Sequence, residues 1–415
     1  MCEGSNIAAM STQSPVDDVQ ADPDDDEQAE NRKLPVLALL ALATAVFITC
    51  LTETLPAGVL PAMSADLGVS ESAMGQSVTI YAIGTALTAI PLTVATAAWR
   101  RKRLLLTAMA AFAVANTVTA LSTDYTLTMA GRFVAGVAAG LAWALLAGYA
   151  RRLAPAPLQG KAIAIVMTGI PVALSLGVPA GTFLGKEFGW GVAFLAMSAL
   201  ALIVIGWIAA TVPDHPGQRP EGRTRVLSAL SVPGVTPVLF VTLVFVLAHT
   251  ILYAYIATFL DHLGMGRSTD LVLLVFGIAS MVSIWIVGAQ IQHRLRALTI
   301  GGSLLVAVAA AGLGLLSGSH PPVYLAAALW GLGWGGVPTL LQTAVGEAGG
   351  EQADAAQAML VTLWNVAMAA GGVIGGVLLG VLGAGSFPWS VLILMVPVLA
   401  VVVAARKHGF PLRRG

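Results

Sequence analysis

The chain is short of charge and of cysteine, and it lacks the usual signatures of an enzyme. Only 10% of its 415 residues are Asp, Glu, Lys or Arg, where a soluble domain carries about a quarter. The two cysteines, Cys2 and Cys50, support no disulfide framework. No HExxH, GxSxG or GxxxxGK[ST] occurs, so zinc-protease, serine-hydrolase and ATP-driven chemistries lose their local motifs. No enzymatic activity, metal, cofactor or nucleic-acid partner is expected.

What fills the chain is apolar. Hydrophobic residues make up 57% and mean hydropathy is +0.85. The apolar runs approach the ~20 residues that span a bilayer as helix. An all-α integral membrane protein follows, with about twelve helices of membrane length. They are expected at 34–62, 74–97, 103–121, 126–150, 160–184, 190–211, 234–261, 269–291, 298–317, 322–346, 354–382 and 387–405.

Residues 1–33 are of another composition, acidic around VDDVQADPDDDEQAE, and read as a disordered tail rather than a signal peptide. Met10 offers an alternative start. A polar stretch, VPDHPGQRPEGRTRVLS, marks a linker over 212–233. It separates a first six-helix half (34–211) from a second (234–405), followed by a short tail (406–415).

Basic residues set the orientation. Arg32, Lys33, the Arg100–Arg103 cluster, Arg151, Arg152, Lys161, Arg219, Arg223, Arg225, Arg294, Arg296 and the C-terminal cluster fall on one side. Only Lys186 and Arg267 fall on the other. The positive-inside rule then places both termini in the cytoplasm, in a cell inner membrane.

The halves repeat at a shift of 195–196 residues. Leu67-Gly68 falls on Leu263-Gly264, Arg100 on Arg296, and the ladder Gly177, Gly181, Gly185 on Gly372, Gly376, Gly380. Glycine at every fourth position lets a neighbouring backbone approach one helix face. Two repeated six-helix halves are an architecture of alternating-access carriers.

On these residues the chain resembles the major facilitator superfamily, in particular its twelve-span drug and sugar efflux antiporters. The resemblance covers about residues 34–405. It is carried by TETLPAGVLPAMSADLGVSESAMGQSVTIYAIGTALTAIP (52–91), by GRFVAGVAAG (131–140) with Arg132 and Gly136, and by GIPVALSLGVPAGTFLG (169–185) with Gly169 and Pro171. It implies a secondary transporter exporting a drug or sugar-like molecule by alternating access and proton antiport, in a monomer. A facilitator or importer of the same fold, or a membrane sensor, are the alternatives. One departure stands out: the Asp expected between the second and third helices is absent from IPLTVATAAWRRKRL, which puts the family's cytoplasmic charge latch in doubt.

Ionisable groups inside a membrane are costly and mark functional candidates. Glu53 is the one acid placed well within a span, and a cavity-wall carboxylate there can exchange protons. Adding 196 reaches His249, so the two are expected at equivalent depth as a titratable pair. Arg132 stays charged and is expected to steady a neighbouring acid. Substrate-cavity candidates are Tyr81, Asn116, Trp143, Tyr253, Trp334, Gln342, Gln357, Trp364 and Asn365, a set suited to a medium-sized, largely uncharged molecule. Tyr255 reads instead as an interfacial-belt residue. Gly136, Gly169, Pro171 and the two glycine ladders are gate and packing candidates.

Overall fold

The computed structural model describes residues 34–411 except 97, 156–157, 217–225 and 317–319. The acidic tail, the linker arginines Arg219, Arg223 and Arg225, and Arg413 and Arg414 lie outside the described residues. No strand occurs among those described.

The long helices are α1 (Val36–Asp66), α2 (Glu71–Ala95), α3 (Arg101–Leu121), α4 (Tyr125–Arg152), α5 (Ala162–Phe188) and α6 (Trp190–Thr211). They are followed by α7 (Val235–Tyr253, continued by Ile256–His262), α8 (Gly266–Ile291), α9 (His293–Leu315), α10 (His320–Gly349), α11 (Ala353–Leu382) and α12 (Phe387–Ala404). Among the described residues, eleven helices are long and apolar enough to cross a membrane; α2 packs among them as the remaining long helix. Leu202, Ile203, Val308, Trp285, Ile393 and Val396 are exposed, as lipid-facing side chains must be.

Several helices break where the chain cannot complete its hydrogen bonds. In α5, Pro171 lacks an N–H, and the helix passes through a π turn at Ala173–Gly177 before Val178–Phe188. The α10 helix divides around Gly335 and Gly336, between His320–Trp334 and Val337–Gly349. The loop expected between 291 and 298 is absent: α8 and α9 run on through a break at Arg294 alone, with φ −128°.

The repeat is legible in backbone detail. Gly68 (φ 65°) and Gly264 (φ 72°) both take the left-handed conformation, where glycine is favoured. The N–H groups of Val69 and Met265 reach back to Ser64 and Leu260 carbonyls at 3.1 and 2.8 Å, the same Schellman closure 196 residues apart. A methyl added at Gly136 would run into the Tyr81 carbonyl, and one at Gly331 into the Phe276 carbonyl. Both members of that helix crossing are displaced by 195.

Residues 38–212 supply one hydrophobic cluster. A second runs from 229 to 410 and takes in side chains of α1, α2, α5 and α6. The first six helices meet the last six chiefly where α2 lies on α11, α5 on α8, and α1 on the Ile256–His262 segment.

The glycine ladders differ in use. Gly177, Gly181 and Gly185 face Phe47, Leu55 and Val59 of α1, and Gly169 abuts the Ala43 carbonyl. In α11 a doublet divides the work. Gly371 and Gly375 face Thr250 and Tyr255, whereas Gly372 and Gly376 face Thr79, Gln76 and Ser72 of α2. Gly380 meets nothing within 4 Å.

Candidate translocation site

The site begins with a proline. Pro56 lies inside α1 and supplies no N–H, so the Thr52 carbonyl four residues earlier loses its helical donor. Arg132 of α4 takes that place: its Nη1 donates to Thr52 O at 2.6 Å. The side chain is 0% exposed. Its Nε donates to the Ser77 carbonyl at 3.5 Å and its guanidinium lies 4.8 Å over the Tyr81 ring. Nη2 has no hydrogen-bond partner among the described residues.

Thr52 is tied at both ends. Its hydroxyl accepts from Asn116 Nδ2 of α3 at 3.1 Å and points to the Met197 sulfur of α6 at 3.9 Å. Tyr81 donates to the Thr49 carbonyl at 3.2 Å. Four helices thus hold one turn of α1, and Glu53 is the next residue along. It is partly buried and lies within electrostatic reach of Arg132, Tyr81, Cys50 and Tyr253. Among the described residues no ion pair joins it to Arg132 or His249.

His249 sits in aromatic surroundings. Its ring stacks on Trp334 at 3.5 Å and 4° and faces Tyr253 at 5.1 Å and Phe276 at 6.1 Å. Trp330 Nε1 donates to its Nδ1 at 3.2 Å, the arrangement of a neutral imidazole with its proton on Nε2. Tyr253 stands between the two candidates: it stacks on His249 and interacts with the Thr54 side chain beside Glu53.

The remaining cavity candidates divide. Trp364 tilts against Trp334 at 5.7 Å and is partly exposed. Asn365 Nδ2 donates to its own helix at Val361 O, 2.9 Å, and Gln357 Nε2 to the Gln342 carbonyl at 2.6 Å. Trp143 packs on the first cluster, away from the aromatic group. Thr52, Pro56, Ser77, Phe276 and Trp330 escaped the sequence reading. The Thr-x-x-x-Pro spacing of TETLP was the available signal for the first two.

At the end of the bundle away from the termini, the two sets of helices are hydrogen-bonded together. Ser72 Oγ donates to Gly376 O at 2.7 Å, Gln76 Nε2 to Gly372 O at 3.2 Å, and Thr79 Oγ1 to Ala369 O at 3.2 Å. Tyr255 donates to Gly372 O at 2.8 Å and is 0% exposed. The interfacial-belt expectation for Tyr255 is overturned, because its ring fills the space left by Gly75 and Gly375. Lys186 pairs with Asp270 at 2.7 Å, joining α5 to α8.

At the other end the missing loop acid has a substitute. Asp214, just past α6, binds Arg100 and accepts from the Lys102 N–H at 3.2 Å. Desolvation, the largest single influence, pushes its carboxyl up, but the two hydrogen bonds together with the charges of Arg100 and Arg103 outweigh it and hold the group below the usual carboxylate range. Arg296, the repeat partner of Arg100, donates instead to the Val403 carbonyl at 2.7 Å and the Phe410 carbonyl at 3.4 Å. Each arginine therefore ties down the chain leaving its own sixth helix.

Comparison with known proteins agrees with this architecture. The chain is 29% identical over 377 residues to the transcription regulatory protein OpdE of Pseudomonas aeruginosa, covering 89% of this chain and 94% of that one. It is 28% identical over 378 residues to the purine ribonucleoside efflux pump NepI of Salmonella enteritidis (90% and 95%). Against NepI of Salmonella typhimurium it is 29% identical over 343 residues (82% and 86%). The sequence profile of the Major Facilitator Superfamily matches residues 42–371. With twelve long helices among the described residues, a backbone-level repeat and a charged network buried among membrane-length segments, the chain belongs to the Major Facilitator Superfamily, as a membrane transporter and not an enzyme.

Proposed function

We propose that the protein exports a small organic molecule from the cytoplasm by alternating access, in antiport with protons, as a monomer in the inner membrane. With both termini in the cytoplasm, the hydrogen-bonded end of the bundle faces outward, and this conformation is closed to the outside. The observation that carries the reading is the place of Glu53. It is the residue after a Thr52 anchored by Arg132 and Asn116, and it has Tyr253 of the other half beside it.

A protonated Glu53 needs no cation, which suits a state in which Arg132 is engaged by the Thr52 carbonyl. A deprotonated Glu53 would compete for the free Nη2 of Arg132 and pull on that turn of α1. His249 would feel the change through Tyr253 rather than by direct pairing. The exposed side of Trp364, with Asn365 beside it in sequence, suits a planar group carrying polar substituents. Nucleosides, which combine a flat base with a sugar, are the first compounds to test, alongside drug-like and sugar-like molecules.

The test is efflux in everted vesicles, with and without a collapsed pH gradient, in the wild type and in Glu53→Gln. Loss of gradient-driven transport with normal membrane levels supports the reading. Undiminished transport by Glu53→Gln would leave a facilitator. The regulatory name of one relative favours a sensor as the second reading, and that reading requires no transport of any compound in the panel.

A further inference from the structure

His249 is held by two kinds of contact, which together leave one of its atoms free. Its ring lies flat on Trp334 at 3.5 Å, and Tyr253, Phe276 and Trp330 crowd it from α7, α8 and α10. Such packing fixes the plane of the ring. Trp330 Nε1 donates to Nδ1 at 3.2 Å. The hydrogen bond at one ring nitrogen decides which nitrogen carries the proton, so the proton sits on Nε2.

Nε2 is therefore a donor, and among the described residues it has no acceptor: the bond from Trp330 uses the other nitrogen, and no acid pairs with His249. Nor is it sealed. Arg132 Nη2 and Asn116 Oδ1 are buried without a partner, whereas Nε2 keeps part of the 8% of His249 that is exposed. An N–H left unmatched in apolar surroundings is costly, and an open one can be matched by a lone pair that a ligand brings. Trp364, tilted against Trp334 at 5.7 Å and partly exposed, offers a ring face close by. A flat ring with an acceptor in its own plane suits both.

We infer that His249 binds the transported molecule, its Nε2–H donating to a ring nitrogen or carbonyl of an uncharged planar heterocycle. Trp330 is the positioning residue that fixes the donor tautomer. His249 then selects the cargo and carries no proton through the transport cycle, because a doubly protonated ring has no lone pair at Nδ1 for Trp330. Tyr253, which stacks on His249 and lies within electrostatic reach of Glu53, joins this subsite to the coupling carboxylate. The inference rests on the proposed export of a small organic molecule and names the group that reads it.

The test measures binding to the full-length protein in nanodiscs, with no proton gradient. The probes are purine riboside and indole riboside, alike in shape and sugar, of which the second lacks the unsubstituted ring nitrogens. The wild type should prefer purine riboside by about tenfold. His249→Phe keeps an aromatic ring without the donor and should lose that preference. If His249→Phe does not fold, the double variant with Trp330→Phe, which orphans no N–H, carries the comparison. In protein isotope-labelled at histidine nitrogen, subtracting the magnetic-resonance spectrum of either variant isolates the His249 signals. They should show a bare Nδ1 and a protonated Nε2, with Nε2 shifting when purine riboside is added. Trp330→Phe should move part of the proton to Nδ1 and weaken purine riboside binding more than indole riboside binding. Equal affinity for the two ribosides, an unchanged preference in the variant, or a proton on Nδ1 in the wild type would overturn the inference. Each of these results leaves the exporter reading standing, since that reading is decided by gradient-driven efflux in Glu53→Gln.

Discussion

Replacing Pro56 by alanine ought to stabilise a helix, and in this protein it should not. Proline in a helix interior costs about 3 kcal/mol relative to alanine, so an isolated Pro56→Ala would be expected to gain most of that. Here the new N–H at position 56 would reclaim the Thr52 carbonyl, which now accepts from Arg132 Nη1 at 2.6 Å. Hydrogen bonds to charged groups contribute about 1.5–3 kcal/mol. The displaced guanidinium is 0% exposed and already has Nη2 unpaired, so a second unsatisfied nitrogen adds roughly 1–3 kcal/mol more. The gain and the loss are therefore comparable, and the net change should lie near zero or below. A double-mutant cycle with Arg132→Met separates the terms. In the wild type that substitution orphans the Thr52 carbonyl; in Pro56→Ala it does not. Arg132→Met should thus cost about 1.5 kcal/mol less in the alanine background. The measurement is reversible unfolding in mixed micelles for all four proteins. A full 3 kcal/mol gain from Pro56→Ala, additive with Arg132→Met, would refute the link between proline, carbonyl and arginine.

Other predictions follow from contacts with backbone. Gly136→Ala places a methyl against the Tyr81 carbonyl, which cannot swing aside, so α2 and α4 must separate. Its level in the membrane should collapse while Gly380→Ala, with open space around it, accumulates normally. Tyr255→Phe removes the bond to the Gly372 carbonyl, worth about 1 kcal/mol. In a background without native cysteines, maleimide labelling of Thr79→Cys, buried in the same interface, should then speed up about fivefold, unless the Tyr255 bond does not hold that end closed. The Asp214 carboxyl is held below its ordinary range by Arg100 and the Lys102 N–H, so its contribution is complete above the unfolded carboxylate value. It is lost as pH falls through the folded one. The protection of the Lys102 amide, its exchange rate relative to the intrinsic rate at each pH, should fall over that acid range in the wild type and be low and flat with pH in Asp214→Asn.

The fold was legible because its determinants are local or periodic. Apolar length gave the helices, and a shift of 195–196 gave the repeat that Gly68 and Gly264 confirm in their backbone angles. Helix interruptions were less legible. Polar residues around Arg294 suggest a loop, yet helical φ/ψ persists on either side of a single break.

The sequence by itself determined that charge within the membrane is scarce, that Glu53 and Arg132 are part of it, and that each must be accommodated. Which groups accommodate them was decided by tertiary structure. Thr52 accepts from Arg132 only because α4 crosses α1 at the turn that Pro56 leaves open. His249 faces Trp330 and Trp334 rather than Glu53 because α7 turns its ring toward α10. Tyr255 is a buried latch instead of a surface anchor because Gly75 and Gly375, far apart in the chain, both lack a side chain at one point of contact. Composition and period report how much a residue must be shielded. The partner that shields it depends on distances between helices, and these arise only when the bundle closes.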